Sequence, residues 1–218
     1  MIFEKGDRIV FAGDSVTDMG RTYPIGEGTY GNALGTGYVR IIDNMLAVWY
    51  PELKVRITNV GINGNTSSHL LERFNDDVVK LSPNWVSICI GINDVWRQFD
   101  SPAMLDWQVE IKEYQANLEK MILQVKDITK GIFICSPYYI ETNKNDLMRK
   151  RMDEYVSVCQ EVSKKFGCYF VDFQKVYEDY CQTCHSSYLA WDRVHPNSIG
   201  ATLMARAFLE VCGFDYKR

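Results

Sequence analysis

The chain has 218 residues, of which 46% are hydrophobic and 24% are charged, as is typical of a soluble globular protein. This composition excludes extensive disorder and collagen-like repeats, and the length predicts one domain over residues 1–218. A net charge of −4 argues against a protein that binds nucleic acid through a basic surface.

Five short segments rich in β-branched and apolar residues predict β-strands. Most of them are apolar on both faces, as expected for strands that helices cover on both sides. In chain order, the predicted strands are Arg8–Ala12, Val55–Val60, Trp85–Ile90, Ile132–Cys135 and Tyr169–Phe173.

Longer segments with apolar residues at helical spacing lie between and after these strands. The predicted helices are Gly37–Tyr50, Ser67–Leu81, Met104–Ile128, Asp146–Phe166 and Ser198–Cys212. The stretch Arg21–Thr36, rich in Gly and Tyr, predicts a long surface loop. Strands that alternate with helices imply right-handed crossovers. The sequence therefore predicts an α/β fold, a flavodoxin-like three-layer α/β/α sandwich with a five-stranded parallel sheet.

Small and polar residues collect directly after four of the predicted strands. In an open parallel sheet, ligands bind outside the carboxyl ends of the strands, so these positions mark the expected site. The segments are Gly13-Asp14-Ser15, Gly61-Ile62-Asn63-Gly64, Gly91-Ile92-Asn93-Asp94 and Ser136-Pro137-Tyr138-Tyr139.

Ser15 and His195 are candidates for a nucleophile and its base, because a neutral serine hydroxyl needs a base to become reactive. Ser15 follows an apolar strand and a glycine that permits a sharp turn, although a serine here is also typical of a helix N-cap. His195 lies three residues after Asp192, so that carboxylate can accept the imidazole Nδ1–H. The alternative for His195 is an ordinary turn histidine before a helix.

Three donors are candidates for an oxyanion hole: the backbone N–H of Ser15, the backbone N–H of Gly61 and the side-chain amide of Asn93. They follow three different strands, and each well-placed donor stabilises a transition state by roughly 3–4 kcal/mol. Gly and Asn are also common in tight strand-to-helix turns, which is the alternative for each residue alone.

The ordered set of these residues resembles the SGNH hydrolases, also called GDSL-type esterases and lipases. The matching blocks are Gly13-Asp14-Ser15, the segment centred on Gly61, Gly91-Ile92-Asn93-Asp94 and Asp192-Arg193-Val194-His195-Pro196. The resemblance spans about residues 8–212. Val16 stands where the GDSL motif has Leu, at a position that often varies, and the Gly-x-Ser-x-Gly elbow of ordinary α/β-hydrolases is absent.

The resemblance implies a role for each of the five residues. Ser15 is the nucleophile, His195 is the base and Asp192 orients His195, while Ser15, Gly61 and Asn93 form the oxyanion hole. It also implies the same five-stranded parallel sheet flanked by helices. We therefore expect a serine esterase that uses neither a metal nor a cofactor.

Segments 91–99 and 136–141 resemble a bacterial branch of the family described as acetylxylan-esterase-like. That resemblance implies the removal of short acyl groups, mainly acetyl, from sugar hydroxyls, so the expected partner is a small-molecule or oligosaccharide ester. Aromatic and charged side chains near the strand ends are candidates for binding the sugar, with core packing as the alternative for the aromatic rings. These candidates are Trp96, Arg97, Tyr138, Tyr139, Glu141 and Trp191.

Two other functions compete with this interpretation. One is a lysophospholipase or thioesterase of the same fold, which acyl-length and head-group preference would distinguish. The other is a carbohydrate-binding protein that has lost catalysis, and the complete set of five site residues argues against it.

The remaining motifs favour structural interpretations. Cys181-Gln182-Thr183-Cys184-His185 matches the pattern of c-type haem attachment and offers possible zinc ligands, but plain thiols in a loop are the preferred interpretation. Gly26–Gly31 predicts a flexible loop rather than a nucleotide cradle. Lys144–Arg151 predicts a solvated helix face, and His69 a structural or surface residue.

The sequence also indicates where the protein works. No apolar stretch approaches the roughly 18–20 residues that a membrane span requires, and the first residues lack the features of a secretory signal. The seven cysteines are odd in number, and Cys89 and Cys135 lie in apolar runs, which favours reduced thiols over a disulfide framework. We therefore expect a cytoplasmic protein.

Overall fold

The computed structural model describes residues 1–217, and within them the chain forms one sheet of six strands. The strands are β1 (Arg8–Gly13), β2 (Gly26–Glu27), β3 (Arg56–Asn59), β4 (Trp85–Cys89), β5 (Gly131–Cys135) and β6 (Tyr169–Val171). Their order in the sheet is β2-β3-β1-β4-β5-β6. All neighbours pair in parallel except β2, which is antiparallel to β3.

Eight α-helices accompany the sheet within the described residues. They are α1 (Ser15–Asp18), α2 (Tyr38–Trp49), α3 (Ser67–Asp77), α4 (Ile92–Asp100), α5 (Ile111–Val125), α6 (Leu147–Phe166), α7 (Phe173–Tyr180) and α8 (Ser198–Val211). Side chains of α2, α7 and α8 join one apolar cluster on the sheet, and those of α3, α4, α5 and α6 join a second. The sheet is therefore the middle layer between two sets of helices, because each helix buries one apolar face against it.

The predicted three-layer α/β/α sandwich is confirmed, but the sheet is neither five-stranded nor purely parallel. The additional strand, β2, lies inside the predicted loop Arg21–Thr36, where Gly26 and Glu27 pair with Asn59 and Thr58. Glu27 is fixed at this edge by ion pairs with arginines of β1 and β3. A strand of two residues has no hydrophobic periodicity, so the sequence offered no signal for it.

The observed helices differ most from the predicted ones where polar residues are buried or apolar residues are exposed. The predicted helix Met104–Ile128 begins only at Ile111, and Leu105–Trp107 forms a separate 3₁₀ turn whose Leu105 is 73% exposed. Helix α4 was not predicted, because two of its four buried residues are the polar Asn93 and Asp94. No helix within residues 1–217 combines the length and apolarity needed to cross a membrane.

Candidate active site

The turn after β1 places Ser15 at the carboxyl edge of the sheet. Gly13 ends the strand, and a Cβ there would overlap the carbonyl oxygen of Cys89 on the neighbouring strand, so the close packing of β1 and β4 requires glycine. Asp14 then caps α1, since its Oδ1 accepts the N–H of Val16 at 2.9 Å. Ser15 is the first residue of α1, not the cap itself.

Ser15, His195 and Asp192 form a continuous hydrogen-bonded chain. The Oγ of Ser15 lies 2.8 Å from Nε2 of His195, and Nδ1 of His195 lies 2.6 Å from Oδ2 of Asp192. This arrangement leaves Nε2 able to accept a proton from Ser15 when Nδ1–H donates to Asp192. The three side chains meet although 180 positions separate Ser15 from His195.

Asp192 also fixes the turn that carries His195. Its Oδ1 accepts the backbone N–H groups of Val194 at 2.9 Å and of His195 at 2.8 Å. Burial alone would raise the pKa of Asp192, but the hydrogen bonds from the His195 ring and from these N–H groups hold it below its usual value. The carboxylate is therefore kept charged, in the form that stabilises an imidazolium.

Residues of segment 136–141 bond to the turn that carries His195. The hydroxyl of the buried Tyr138 donates to the carbonyl of Val194 at 2.9 Å. Arg193 adopts a left-handed conformation with φ 64°, and its side chain pairs with Glu141 at 2.5 Å. Tyr138 and Glu141 were predicted to bind substrate, but their polar groups are bonded to Val194 and Arg193 in the turn that carries His195.

The structure does not support Gly61 as an oxyanion donor. Its N–H donates to Oδ1 of Asn59 at 2.9 Å, and its carbonyl accepts from Nε of the buried Arg21 at 2.7 Å. A Cβ on Gly61 would also overlap the backbone nitrogen of Asp18. Gly61 is thus required where the chain after β3 packs closely on α1. The prediction that its N–H is an oxyanion donor is wrong.

The loop from Ile62 to Asn65 offers a different donor, Gly64. The loop lies against the nucleophile turn, because the N–H of Ile62 donates to the carbonyl of Gly13 at 3.1 Å. Gly64 has φ +75°, and its N–H, like that of Ser15, has no hydrogen-bond partner within residues 1–217. The Asn63-Gly64 dipeptide, typical of a tight turn, was the available signal.

Asn93 approaches the same loop from α4. Its Nδ2 donates to the carbonyl of Asn65 at 3.0 Å, which uses one of the two amide hydrogens. Its Oδ1 accepts from Nη2 of Arg97 at 3.2 Å. Both contacts fix the direction of the amide, and its second hydrogen has no partner within residues 1–217.

The other predicted substrate-binding residues differ in how close they lie to His195 and in how exposed they are. The ring of Trp96 lies 6.0 Å from the ring of His195, centroid to centroid, and the guanidinium of Arg97 lies 5.0 Å from the centre of the Trp96 ring. Trp191, next to Asp192, is 87% exposed. Tyr139 is half-buried and its backbone N–H donates to Gln174.

Two fully buried carboxyls lie beneath the site. Burial, reinforced by the charge of Asp94, raises the pKa of Asp14 to about 7, although the N–H of Val16 and the charge of Arg73 oppose the rise. Burial also raises the pKa of Asp94 to about 6, against hydrogen bonds from the hydroxyl and N–H of Ser67. Both groups therefore titrate near neutral pH.

The other motifs that the sequence analysis considered lie outside the site. His69 completes a capping box with Thr66 at the start of α3. Cys181 and Cys184 are free thiols, and no group of three or more His, Cys, Asp or Glu side chains in the described part of the chain is placed to hold a metal. Within the segment predicted as a solvated face, Arg149 is buried and pairs with two acidic residues.

Comparisons with known proteins identify the family and show close relatives of the fold. The family model for GDSL-like lipases and acylhydrolases matches residues 9–208. An acetylxylan esterase of Geobacillus stearothermophilus is 46% identical over 213 residues, covering 98% of this chain and 97% of the relative. The crystal structure of Axe2, an acetylxylan esterase from the same organism, superposes with a TM-score of 0.98 at 45% identity, covering 100% of this chain and 99% of that one. LAE5, an α/β-hydrolase from the metagenome of Lake Arreo, has a TM-score of 0.95 at 42% identity, covering 98% of both chains.

Proposed function

Because the chain belongs to the family of GDSL-like lipases and acylhydrolases and is a carboxylic-ester hydrolase, we propose that it removes acetyl groups from carbohydrate hydroxyls. Acetylated xylan and xylo-oligosaccharides are the substrates that fit best, since the relative that is 46% identical over the whole chain is an acetylxylan esterase. The observation that carries the chemistry is the hydrogen-bonded chain from Ser15 through His195 to Asp192.

The reaction begins with attack by Ser15. Its Oγ adds to the ester carbonyl carbon while His195 Nε2 takes the hydroxyl proton, and the charge of Asp192 stabilises the imidazolium that forms. The carbonyl oxygen becomes an oxyanion bound by the N–H groups of Ser15 and Gly64 and by the Asn93 amide. These three donors are the oxyanion hole in this proposal, with Gly64 in place of Gly61.

The tetrahedral intermediate collapses as the C–O bond to the sugar breaks. His195 gives its proton to the leaving sugar oxygen, and an acetyl ester on Ser15 remains. Water then adds to this acyl-enzyme, again with His195 as base, and acetate leaves as Ser15 recovers its proton.

The aromatic rings around the site support a carbohydrate substrate. The Trp96 ring lies beside His195, and Trp191, the residue before Asp192, is largely exposed, so both indoles are candidates for packing on a sugar. Flat apolar faces of sugar rings pack on such surfaces, while their hydroxyls remain available to polar groups.

The experiment is hydrolysis of p-nitrophenyl esters from acetyl to decanoyl, followed by acetate release from acetylated xylo-oligosaccharides. We expect turnover to peak at acetyl and to vanish in Ser15→Ala. A peak at long acyl chains would instead favour a lysophospholipase or thioesterase. Wild-type turnover in Ser15→Ala would refute the proposed nucleophile.

A further inference from the structure

Arg73 of α3 lies where the segments that carry the oxyanion donors converge. Its guanidinium is only partly accessible, with 16% of the side chain exposed. Nη2 donates to the carbonyl of Gly13 at 3.1 Å, and Nη1 donates to the carbonyl of Val60 at 2.8 Å. These two carbonyls stand at the carboxyl ends of adjacent strands, so one side chain joins the turns that follow β1 and β3.

The third contact reaches the loop that contains Gly64. Nε of Arg73 donates to Oδ1 of Asn65 at 2.7 Å. The backbone carbonyl of Asn65 in turn accepts the Asn93 amide at 3.0 Å. A single planar cation is thus bonded to the Ser15 turn and the Gly64 loop, and through Asn65 it is linked to Asn93.

We propose that Arg73 is a positioning residue that fixes the three oxyanion donors relative to one another. Oxyanion stabilisation depends on donors held within a few tenths of an ångström of the productive geometry. The N–H groups of Ser15 and Gly64 stand on two separate segments that the hydrogen bond from Ile62 to Gly13 joins at one point, so a further restraint is needed to fix them. Arg73 supplies it without touching the reacting atoms. This inference rests on the proposed function.

A lysine at position 73 cannot make these three hydrogen bonds at once. A guanidinium presents donors from three separated nitrogens in one rigid plane, whereas an ammonium donates from a single point. The contacts at Gly13, Val60 and Asn65 use all three nitrogens of Arg73. Arg73→Lys therefore retains the positive charge and loses the simultaneous contacts, which separates positioning from a purely electrostatic effect.

Arg8 provides a matched control for the loss of a partly buried guanidinium. Its side chain is 14% exposed, and it too bonds three groups, Thr58, Glu27 and the carbonyl of Leu81. As the first residue of β1, it lies at the opposite, amino edge of the parallel sheet. Arg8→Lys should cost comparable stability and leave catalysis unchanged.

The test measures kcat, KM and inhibition by phenylboronic acid, which forms a tetrahedral adduct with a serine nucleophile and places an oxygen in the oxyanion hole. We expect Arg73→Lys to lower kcat by about 10–100-fold, with KM changed less than about threefold. The Ki of the boronic acid should rise by a similar factor, a change that a merely structural role would not produce. Arg8→Lys should leave both quantities within about twofold of wild type.

A second variant covers the case in which Arg73→Lys does not fold. Asn65→Ala removes the acceptor for Nε of Arg73 and keeps the backbone carbonyl that orients Asn93, so we expect kcat to fall by about tenfold. The inference is refuted if the folded variants match Arg8→Lys in kcat and boronate affinity. Failure of the proposed function is a separate result, because Ser15→Ala would then retain turnover.

Discussion

Replacing Asp14 with asparagine should flatten the dependence of folding stability on pH. The carboxyl of Asp14 is fully buried, and this burial, together with the charge of Asp94, raises its pKa from 3.8 to about 7. Between these two values, the folded chain binds a proton that the unfolded chain releases. The stability that Asp14 contributes is therefore present at acidic pH and is lost as the pH rises through 7.

The size of this loss follows from the two pKa values. Linkage between a pKa of 3.8 in the unfolded chain and about 7 in the folded chain gives a loss of about 2–3 kcal/mol between pH 5 and pH 8. Asparagine retains a side-chain oxygen for the N–H of Val16, so Asp14→Asn keeps the helix cap while removing the titration.

The assay is urea unfolding of both proteins at several pH values from 5 to 8. The free energy of unfolding of Asp14→Asn minus that of wild type should increase by about 2–3 kcal/mol across this range. Asp94 titrates in both proteins, so most of its contribution cancels in the difference. A difference that stays constant from pH 5 to pH 8 would show that the pKa of Asp14 is not raised by burial, and the reasoning would fail.

Four further substitutions test the site. Asp192→Asn keeps an acceptor for the backbone turn but cannot hold the His195 tautomer, so kcat should fall about 10⁴-fold while the variant still folds; a loss below tenfold would contradict this role. Asn93→Ala should lower kcat by about 10²–10³-fold at nearly constant KM, and a change confined to KM would assign Asn93 to substrate binding instead. Gly61→Ala should cost about 1–3 kcal/mol of stability in urea unfolding, because its Cβ overlaps backbone of α1. Gly64→Ala should cost about 1 kcal/mol, because its Cβ meets open space but the backbone has φ +75°. A Gly61→Ala variant as stable as wild type would refute the packing argument.

Much of the site could be predicted because the sheet topology brings distant segments to one edge. The parallel strands β1 and β4 end side by side at Gly13 and Cys89, so the segments that follow them, with Ser15 and Asn93, begin at the same edge of the sheet. The pairing of Asp192 with His195 is local, since three residues separate them in one turn. Strand periodicity and short motifs are enough to locate features of this kind.

The choice between Gly61 and Gly64 could not be made in the same way. Both glycines follow β3 within five residues, and only the side chain of Asn59 decides that the N–H of Gly61 is occupied. Asn59 is itself oriented by bonds to the carbonyls of Thr17 and Leu34, which come from distant parts of the chain. The available donor is thus set by tertiary contacts that no local pattern encodes.

The burial of Arg149 escaped prediction for a related reason, and for Tyr138 core packing was only the alternative to substrate binding. A basic residue in a polar helix and a tyrosine beside a strand are ordinary surface candidates in a sequence. Their burial depends on partners that fold against them, Glu178 for Arg149 and the carbonyl of Val194 for Tyr138. Long-range partners of this kind are visible only in the folded chain.

The separation of Ser15 from His195 by 180 positions has a consequence for the protein during its synthesis. Ser15 is synthesised 180 positions before His195, so under the proposed mechanism the emerging polypeptide carries an unreactive hydroxyl throughout that interval. Hydrolytic turnover can begin only after the segment with Asp192 and His195 has docked beside α1. Under the proposed mechanism, activity therefore reports this docking, and a chain stalled before His195 cannot cleave esters.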